Sequence, residues 1–361
     1  MQFDSVPFLR LSPLRAEVKT ALEDVLENGV FMNGENIEAF KYGFSNFLDL
    51  NAIIPTANCT DALEIILRSL DIQEGDEVIT SAFSWFSDAS VIKLIGAKVV
   101  FCDIDISHFE INLSDLERRI TVKTKALILP HLFGLLHPEI DKISSICKQN
   151  NIVLIEDCAQ AHGASLNGKL AGTFGDVAVF SFYPTKNLAA LGDAGAIATN
   201  NGTLAENCSR WANHGQEIRN EHLQLGRNSR MDEIQAAVLC TNLTFLHSDN
   251  EKRQKLAGIY YDILADTNCA LPHRANGHVY HQFVIRTDRR DELQKFLLEN
   301  NIETDIHYPT ALSDMEVFYS LEKFDQASLA SRTVLSLPIH PNHTELEISF
   351  VAEKIKSFFR A

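Results

Sequence analysis

Between residues 51 and 199 the chain alternates short apolar runs with amphipathic segments. Strands separated by helices of about 10–15 residues predict right-handed crossovers and a mostly parallel sheet that is covered on both faces. The predicted strands are Ala52–Pro55, Glu77–Thr80, Lys98–Cys102, Ala126–Pro130, Ile152–Glu156, Val177–Ser181 and Ala196–Thr199. The predicted helices before and between them are Leu14–Asn28, Glu35–Leu48, Asp61–Leu70, Ser84–Ile95, Leu113–Ile120 and Pro138–Asn150.

After residue 200 the pattern becomes mainly helical. Arg230–Asn250 predicts one long helix whose apolar positions trace a single face. The remainder predicts a helix through Tyr260, a strand at Gln282–Arg286, a helix at Arg290–Asn300, a strand at Glu303–His307 and a closing helix to Phe359. We therefore expect a large domain over residues 1–250 and a small α/β domain over residues 251–361. Residues 1–15 are apolar and punctuated by proline, which predicts an arm packed on another part of the molecule.

The composition disfavours several classes of protein, among them those that bind nucleic acid, membranes or structural metals. The 361 residues are 45% hydrophobic, and 48 acidic against 32 basic residues give a net charge of −16, which disfavours binding to nucleic acid or to an anionic membrane. The seven cysteines contain no Cys-x-x-Cys pair, which predicts reduced thiols with neither a disulfide framework nor a metal site. Without a signal-like start or an apolar run of about 18 residues, the sequence predicts a cytoplasmic protein.

Lys186 is the first candidate for chemistry. It follows the predicted strand Val177–Ser181, and Pro184 cannot continue a strand ladder, so the chain must turn there. A lysine displayed at a strand end among small and hydroxylated residues suits Schiff-base formation with a carbonyl cofactor. Taken alone, the same position is more typical of a solvated loop lysine.

Asp157 is the second candidate, because it follows another buried run, Ile152–Ile155. An acid at the end of a parallel strand can hydrogen-bond a protonated pyridine nitrogen and keep pyridoxal phosphate (PLP) an effective electron sink. It could also serve only as a helix cap. An acid followed one strand later by Lys186 is the order expected of a PLP enzyme.

Three further strand-end features are compatible with that cofactor. Thr60, in the segment Asn58–Leu63 between a strand and a helix, could contribute to an anion site for a phosphate or could be a plain N-cap. Trp85 follows the next strand and could stack on a pyridine ring or belong to the core. The hydroxyl of Ser181 could add a phosphate contact.

Together these segments resemble the DegT/DnrJ/EryC1/StrS family of PLP-dependent nucleotide-sugar aminotransferases. The resemblance extends from Val6-Pro7-Phe8-Leu9 to Leu337-Pro338-Ile339-His340-Pro341. The segments that carry it are Asn58–Leu63, Glu156–Gly163, Ser181–Asn187, Gly192–Gly195 and Asn228–Ala237. It implies fold type I, the architecture of aspartate aminotransferase, in a homodimer or a dimer of dimers with active sites shared between subunits.

The resemblance also implies roles for individual residues. Lys186 would be the Schiff-base lysine and proton shuttle, and Asp157 would pair with the pyridine nitrogen. Gln160 would lie near the ring hydroxyl and Trp85 would stack on the ring. The phosphate would be held by Thr60, Asp61 and Ser181, with Asn228 of the neighbouring subunit. Cys59 would lie at the cofactor where most relatives have glycine, and it fits if the position needs no positive φ.

The expected reaction moves an amino group from L-glutamate to a keto group of a nucleotide-linked deoxy sugar, for surface glycans such as lipopolysaccharide or for secondary metabolites. The segments around Val279–Arg286 and Ile302–Pro309 are similar to members that aminate C3 of dTDP-3-keto-6-deoxyhexoses. There His307 and Tyr308 are candidate substrate residues, although His307 could equally be a strand-end histidine. Thr310–Met315 departs from the usual continuation, so C4 amination of a dTDP- or UDP-4-keto sugar stays an alternative.

Two other classes of protein fit the sequence less well. A PLP-binding regulator without catalysis is disfavoured, because Lys186 and Asp157 are both present and the sequence shows no basic helix-turn-helix. A Rossmann dehydrogenase is disfavoured because no Gly-x-Gly-x-x-Gly follows the first strand.

Overall fold

The predicted strands of the first half assemble into one sheet in the computed structural model, which describes residues 4–318 and 320–360. The strands are β1 (Ala52–Thr56), β2 (Glu77–Ser81), β3 (Lys98–Cys102), β4 (Ile104–Asp105), β5 (Glu110–Ile111), β6 (Thr124–Pro130), β7 (Val153–Asp157), β8 (Ser165–Leu166), β9 (Lys169–Leu170), β10 (Val177–Ser181), β11 (Gly195–Thr199), β12 (Gln216–Ile218), β13 (Glu221–His222), β14 (Phe283–Arg286) and β15 (Val334–Leu337).

The helices cover this sheet and build the C-terminal part. They are α1 (Ala16–Asn28), α2 (Glu35–Leu48), α3 (Cys59–Ser69), α4 (Ser87–Leu94), α5 (Leu113–Arg119), α6 (Ile140–Gln149), α7 (Gly202–Ala212), α8 (Glu233–Leu243), α9 (Leu246–Leu264), α10 (Arg290–Glu299), α11 (Asp325–Thr333) and α12 (Glu345–Arg360). Short 3₁₀ turns lie at Leu132–Gly134, Leu312–Asp314 and Glu316–Phe318.

The central sheet has seven strands in the order β1-β11-β10-β7-β6-β2-β3. The strand β11 is antiparallel to both its neighbours, β1 and β10, and the remaining pairs are parallel. The predicted α/β class with a mostly parallel seven-stranded sheet is therefore confirmed.

Alternate residues of the strands supply two separate cores. In β6, Leu127 and Leu129 pack in the core that contains Phe40 and Phe44 of α2, whereas Ala126 and Ile128 pack in the core with helices α3 and α4. Side chains on a strand alternate between faces, and each fully buried Leu, Ile or Phe stabilises the fold by about 1.5–3 kcal/mol. Because both faces are covered, the strand ends are where polar side chains can meet a ligand.

Those ends converge on one edge of the sheet. The strands β2, β7 and β10 end there at Ser81, Asp157 and Ser181, and β11 starts there at Gly195 because it runs the other way. The helix α3 begins at the same edge, directly after β1. Candidate residues that are far apart in sequence are thus brought together by the topology.

The prediction of one helix over Arg230–Asn250 is wrong. The structure has two helices, α8 and α9, which are separated at Thr244 and Phe245. The side chains of Thr241 and Thr244 donate hydrogen bonds to the carbonyls of Ala237 and Thr241, and such bonds compete with the helical ladder and bend it.

The predicted strand at Glu303–His307 is also wrong. Only Asp305 makes a bridge, to Ser336, and the ladder partner of β14 is β15. The main chain of Glu303 instead donates a hydrogen bond to Val6 of the N-terminal arm. The segment 303–308 is consequently irregular, and its side chains are not held to a strand alternation.

The N-terminal arm packs as predicted, as far as the structure describes it, since residues 1–3 lie outside the described range. Val6 is fully buried in the core of the C-terminal helices and pairs with Ile302, and Arg10 forms an ion pair with Glu347 of α12. The helix α9 runs through residue 250, so the predicted domain boundary there stays a prediction. Within the described ranges, every helix is too short or too polar to cross a bilayer.

Candidate active site

A cavity of about 520 Å³ opens at the edge of the sheet where the strand ends converge. One side, the sheet wall, is formed by Asn58, Cys59, Thr60, Asp157, Ser181 and Lys186. The other side, the C-terminal wall, is formed by Phe8, Leu9, Asp305, His307 and Tyr308. Trp85 and Gln160 also line the cavity.

Lys186 reaches the cavity from a turn that follows β10. The backbone N–H of Lys186 donates to the carbonyl of Tyr183 at 2.8 Å, and the buried Phe182 anchors the start of the turn through a bond to Ala194. Burial lowers the pKa of Lys186 from its ordinary value, while the negative charge of Asp157 opposes the shift. A lowered pKa favours the neutral amine that attack on a carbonyl requires.

Asp157 is the last residue of β7, and its side chain is 8% exposed. Its Oδ1 accepts the backbone N–H of Ala159 at 2.8 Å, and the carboxyl group still lines the cavity. Gln160 follows in the same loop, where its Oε1 accepts the N–H of Phe133 at 2.6 Å and its Nε2 donates to the hydroxyl of Tyr308 at 2.9 Å. Gln160 therefore connects the sheet wall to the C-terminal wall.

The first turn of α3 forms the far end of the sheet wall. Asn58 caps this helix, since its Oδ1 accepts the N–H of Asp61 at 2.8 Å, so the cap is neither Thr60 nor Asp61. The hydroxyls of Thr60 and Ser87 lie 2.7 Å apart. Backbone N–H groups at a helix start, together with these hydroxyls, are suited to bind an anion.

Two features of the backbone keep this anion site open. Cys59 is the first residue of α3 and has no positive φ, so the condition for a cysteine at this position is met. Gly195 lies against the helix start, and a Cβ there would be 2.5 Å from the carbonyl carbon of Asn58. A side chain at Gly195 would therefore displace the N-cap.

Two of the candidate side chains do not reach this cavity. Asp61 is turned away and forms an ion pair with Arg227 at 2.9 Å. Asn228 is exposed and accepts a hydrogen bond from Arg230 at 3.0 Å. For Asn228, a position outside its own cavity is compatible with the predicted role in a neighbouring subunit, which stays a prediction.

The aromatic and histidine candidates do reach the cavity. Trp85 is 58% exposed and its ring centroid lies 5.8 Å from that of Tyr308, so Trp85 is not a core residue. Nδ1 of His307 lies 2.9 Å from the hydroxyl of Ser336, and the ring stacks on Phe8 with 5.9 Å between centroids. Burial lowers the pKa of His307, which favours the neutral ring.

Tyr183, His281 and Asp88 are among the residues at this site that were not predicted from the sequence. Tyr183 and His281 line the cavity, and Nδ1 of His281 lies 3.1 Å from Oδ1 of Asn187. Asp88 is fully buried behind the cavity and interacts with Asp157. Tyr183 could have been found from its place three residues before Lys186, whereas nothing in the sequence around Asp88 indicates that an acid in a first helical turn is buried.

The sequence profile of the DegT/DnrJ/EryC1/StrS aminotransferase family matches residues 13–356. The chain belongs to this family. It is 39% identical over 99% of both chains to a pleiotropic regulatory protein of Geobacillus stearothermophilus. It is 38% identical, over 98% of this chain and 99% of the relative, to the dTDP-3-amino-3,6-dideoxy-α-D-galactopyranose transaminase of Aneurinibacillus thermoaerophilus.

Two solved structures have the same fold over nearly the whole chain. DesV of S. venezuelae, in complex with a ketimine intermediate, superposes with a TM-score of 0.95 at 34% identity over 99% of each chain. NtdA of Bacillus subtilis, with bound cofactor PMP, superposes with a TM-score of 0.93 at 30% identity over 100% of this chain and 86% of that one. The predicted fold type I and the cofactor, PLP in exchange with its amino form PMP, are confirmed.

The residues of the cavity fit this cofactor. An aldehyde needs a nearby amine, which Lys186 provides, and a pyridine nitrogen needs an acid, which Asp157 provides. A phosphate monoester fits the start of α3 with the hydroxyls of Thr60 and Ser181. The sheet wall alone therefore offers a partner for each of three groups of the cofactor: its aldehyde, its ring nitrogen and its phosphate.

Proposed function

We propose that this aminotransferase moves the amino group of L-glutamate to C3 of a dTDP-linked 3-keto-6-deoxyhexose. The observation that carries the proposal is the position of Lys186, whose amine enters the cavity on the same wall as Asp157 and the start of α3. The relative from Aneurinibacillus, which is named for a dTDP-3-amino sugar and aligns over nearly the whole chain, supports C3 as the position.

Four residues of the sheet wall have a part in the first half of the reaction. PLP, when bound, supplies an aldehyde for the amino group and a pyridinium ring that withdraws electrons from the carbon that loses its proton. Asp157 holds the proton on the pyridine nitrogen, and Thr60 and Ser181 bind the phosphate. Lys186 takes the α-proton of glutamate and returns a proton before 2-oxoglutarate leaves.

In the second half the same groups work in the opposite direction. Lys186 delivers a proton to the sugar carbon that receives the amino group. The keto-sugar enters along the C-terminal wall, where His307 and Tyr308 offer a ring nitrogen and a hydroxyl to its oxygens. Trp85 lines the cavity with an exposed ring, which would pack against the cofactor ring and exclude water from one of its faces.

A substrate panel tests the proposal. The purified enzyme with PLP and glutamate is given dTDP- and UDP-linked sugars with the keto group at C3 or at C4, and the product is identified by mass and NMR. We expect an amine at C3 of the dTDP sugar. An amine at C4 would contradict the proposed position of amination but would agree with the proposed reaction class, the transfer of an amino group to a nucleotide-linked sugar. Failure of all four sugars, with glutamate still converting the bound cofactor, would contradict a nucleotide-sugar substrate.

We further propose that the active enzyme is a homodimer in which each site receives residues from both chains. Of the described residues that line the cavity, Lys186 is the one lysine or arginine, although both glutamate and a nucleotide sugar are anions. The segment that leads to Asn228 exposes Leu223 and Leu225 by 66% and 83%. Exposed apolar side chains on this segment, and a cavity whose described lining offers one cation for two anionic substrates, support a second copy that covers the segment and completes the site.

Mixing two inactive variants tests the shared site. In a heterodimer of Lys186→Ala and Asn228→Ala chains, one site carries both substitutions and the other carries neither. Random exchange of chains should therefore restore about one quarter of the wild-type sites. No recovery after exchange, with dimers verified by sedimentation, would contradict a role for Asn228 across the interface.

A further inference from the structure

The buried residue Asp88 has no part in the proposed reaction. It lies in the first turn of α4, directly after the loop that carries Trp85, and none of its surface is exposed. An acid in the first turn of a helix ordinarily faces water, where it interacts with the helix dipole at no desolvation cost. Burial at this place needs a compensating partner.

The two oxygens of Asp88 have different surroundings. Oδ2 accepts a short hydrogen bond from the hydroxyl of Ser84, which sets the orientation of the carboxyl group. Oδ1 is buried, and among the described residues none meets it with normal hydrogen-bond geometry. The Asp157 side chain is nonetheless close enough to Asp88 to interact with it through charge and as a side-chain hydrogen-bond partner. Oδ1 is therefore the unsatisfied polar atom of a buried side chain that interacts with Asp157.

The other titratable groups around Asp88 are Lys186, Cys59 and Tyr308. Two neighbouring carboxyl groups in a buried site cannot both ionise without a large cost, so one of them keeps a proton. Asp157 accepts a backbone N–H and lines the cavity, whereas Asp88 is the more deeply buried of the two and does not line it. Burial first, and then the charge of Asp157, raise the pKa of Asp88 well above its ordinary value.

We propose that Asp88 is a positioning residue whose Oδ1 carries a proton and donates a hydrogen bond to the carboxylate of Asp157. The bond leaves Asp157 charged and holds its free oxygen toward the place of the pyridine nitrogen. The proton stays on Asp88, so the pair presents one negative charge to the cofactor. The inference rests on the proposed role of Asp157, and its tests are chosen to fail separately from that role.

The first test compares two neutral substitutions of Asp88. One keeps a hydrogen-bond donor at this position and the other removes it. Asp88→Asn keeps the shape and offers an amide N–H to Asp157, whereas Asp88→Ala removes the donor. We expect Asp88→Asn to bind PLP within about threefold of wild type and Asp88→Ala to bind it about tenfold more weakly, because one hydrogen bond to a charged group is lost. Equal losses in the two variants would overturn the proposal, since the charge of Asp88 would then be what matters.

The second test detects the proton directly, by infrared spectroscopy of the protein prepared without PLP. Wild type should show the carbonyl band of a neutral carboxylic acid, and Asp88→Asn should lack part of it. Glu110 is a second buried carboxyl group with a raised pKa and an unpartnered oxygen, so Glu110→Gln serves as the control for its contribution. A difference spectrum between wild type and Asp88→Asn without that band would overturn the proposal.

These outcomes are distinct from a failure of the proposed function. If wild type formed no lysine-bound cofactor absorbance, the role of Lys186 and Asp157 would fall while the infrared result for Asp88 would still stand. If wild type bound PLP normally and the infrared band were missing, Asp88 alone would be wrongly assigned.

Discussion

The two walls of the cavity are built in different ways. The sheet wall is carried by strand ends and a helix start, and each of its side chains lies in or directly beside a strand of the central sheet or the helix α3. The C-terminal wall is carried by the N-terminal arm and by the segment 303–308, which pairs through single bridges only. The sheet wall matches the chemically constant cofactor, and the C-terminal wall matches the part of the reaction that differs between relatives.

Because the two walls differ in this way, substitutions on them should have different effects on the two half-reactions. Substitutions on the sheet wall should affect both halves of the reaction, because the cofactor takes part in both. Substitutions on the C-terminal wall should affect the sugar half alone.

Replacing Lys186 should produce the largest loss. The variant Lys186→Ala lacks the amine that binds the aldehyde and moves the proton, so we expect turnover to fall by on the order of 10⁴-fold or more. The absorbance of the lysine-bound cofactor should disappear as well. Lys142→Ala, at an exposed position on α6, is the matched control and should behave as wild type. A Lys186→Ala enzyme that kept both signals would refute the assignment.

Lys186 also shows how far the sequence alone could be interpreted. The strand before it, the turn at Pro184 and the acid at Asp157 are local patterns, and the alternation of strands and helices places them at one edge. The strand-end pattern also indicated Trp85 and Ser181, the family segments added Gln160, and the structure brings all three to the cavity. What is local or carried by a motif was therefore predictable.

Contacts that depend on long-range packing were not predictable. The side chain of Asp61 was expected at the phosphate, but it pairs with Arg227, which lies more than 160 residues further along the chain. The strand expected at Glu303–His307 is displaced by the arm, because Val6 takes its backbone bonds. The burial of Asp88 follows from the packing of α4 against α3, β2 and β3, which leaves no periodic signal in the sequence.

Two adjacent acids on β7 give the second prediction. Glu156 is fully buried, and its oxygens accept N–H groups from Gly172, Phe174 and Gly175 and lie 2.9 Å from His131. Asp157, one residue later, faces the cavity instead, because side chains alternate along a strand.

We expect Asp157→Asn to lower both half-reactions by about 10²–10³-fold, because the pyridine nitrogen loses its charged partner. Glu156→Gln should keep the kinetics of the folded enzyme but lower the free energy of unfolding by about 3 kcal/mol, since one amide oxygen cannot replace a carboxylate that serves several donors. Stopped-flow kinetics and denaturant unfolding separate the two. The opposite pattern would show that the faces of β7 are assigned the wrong way round.

A third prediction concerns the core beneath the sheet wall. His162 is fully buried against Phe180 and Phe182, and burial together with the charge of Lys186 lowers its pKa to about 3. The unfolded chain binds a proton at His162 below about pH 6.5, whereas the folded chain does not until much lower pH. Stability therefore falls as pH drops below 6.5, by at most about 1.4 kcal/mol per pH unit for this group.

The variant His162→Leu isolates this contribution. The free energy of unfolding, measured in denaturant between pH 7 and 5, should fall less steeply than in wild type. His247→Leu, an exposed position on α9, is the control and should leave the slope unchanged. An unchanged slope in His162→Leu would mean that His162 is already protonated in the folded protein.

The smallest expected effect lies on the C-terminal wall, at His307. Its ring is oriented by Ser336 and stacks on Phe8, so the variant His307→Asn keeps a polar group near Ser336 but loses the ring nitrogen that faces the cavity. We expect the KM for the keto-sugar to rise about tenfold, as for one lost hydrogen bond, while the glutamate half-reaction stays within about twofold of wild type.

The variant Ser336→Ala supplies the control for His307, because it removes the ring's partner without changing a residue that lines the cavity. It should raise the KM for the sugar less than His307→Asn does, since the ring is loosened but still present. If His307→Asn slowed both half-reactions equally, the C-terminal wall would also serve the cofactor. The assignment of the sheet wall to the cofactor and of the C-terminal wall to the sugar would then be wrong at His307.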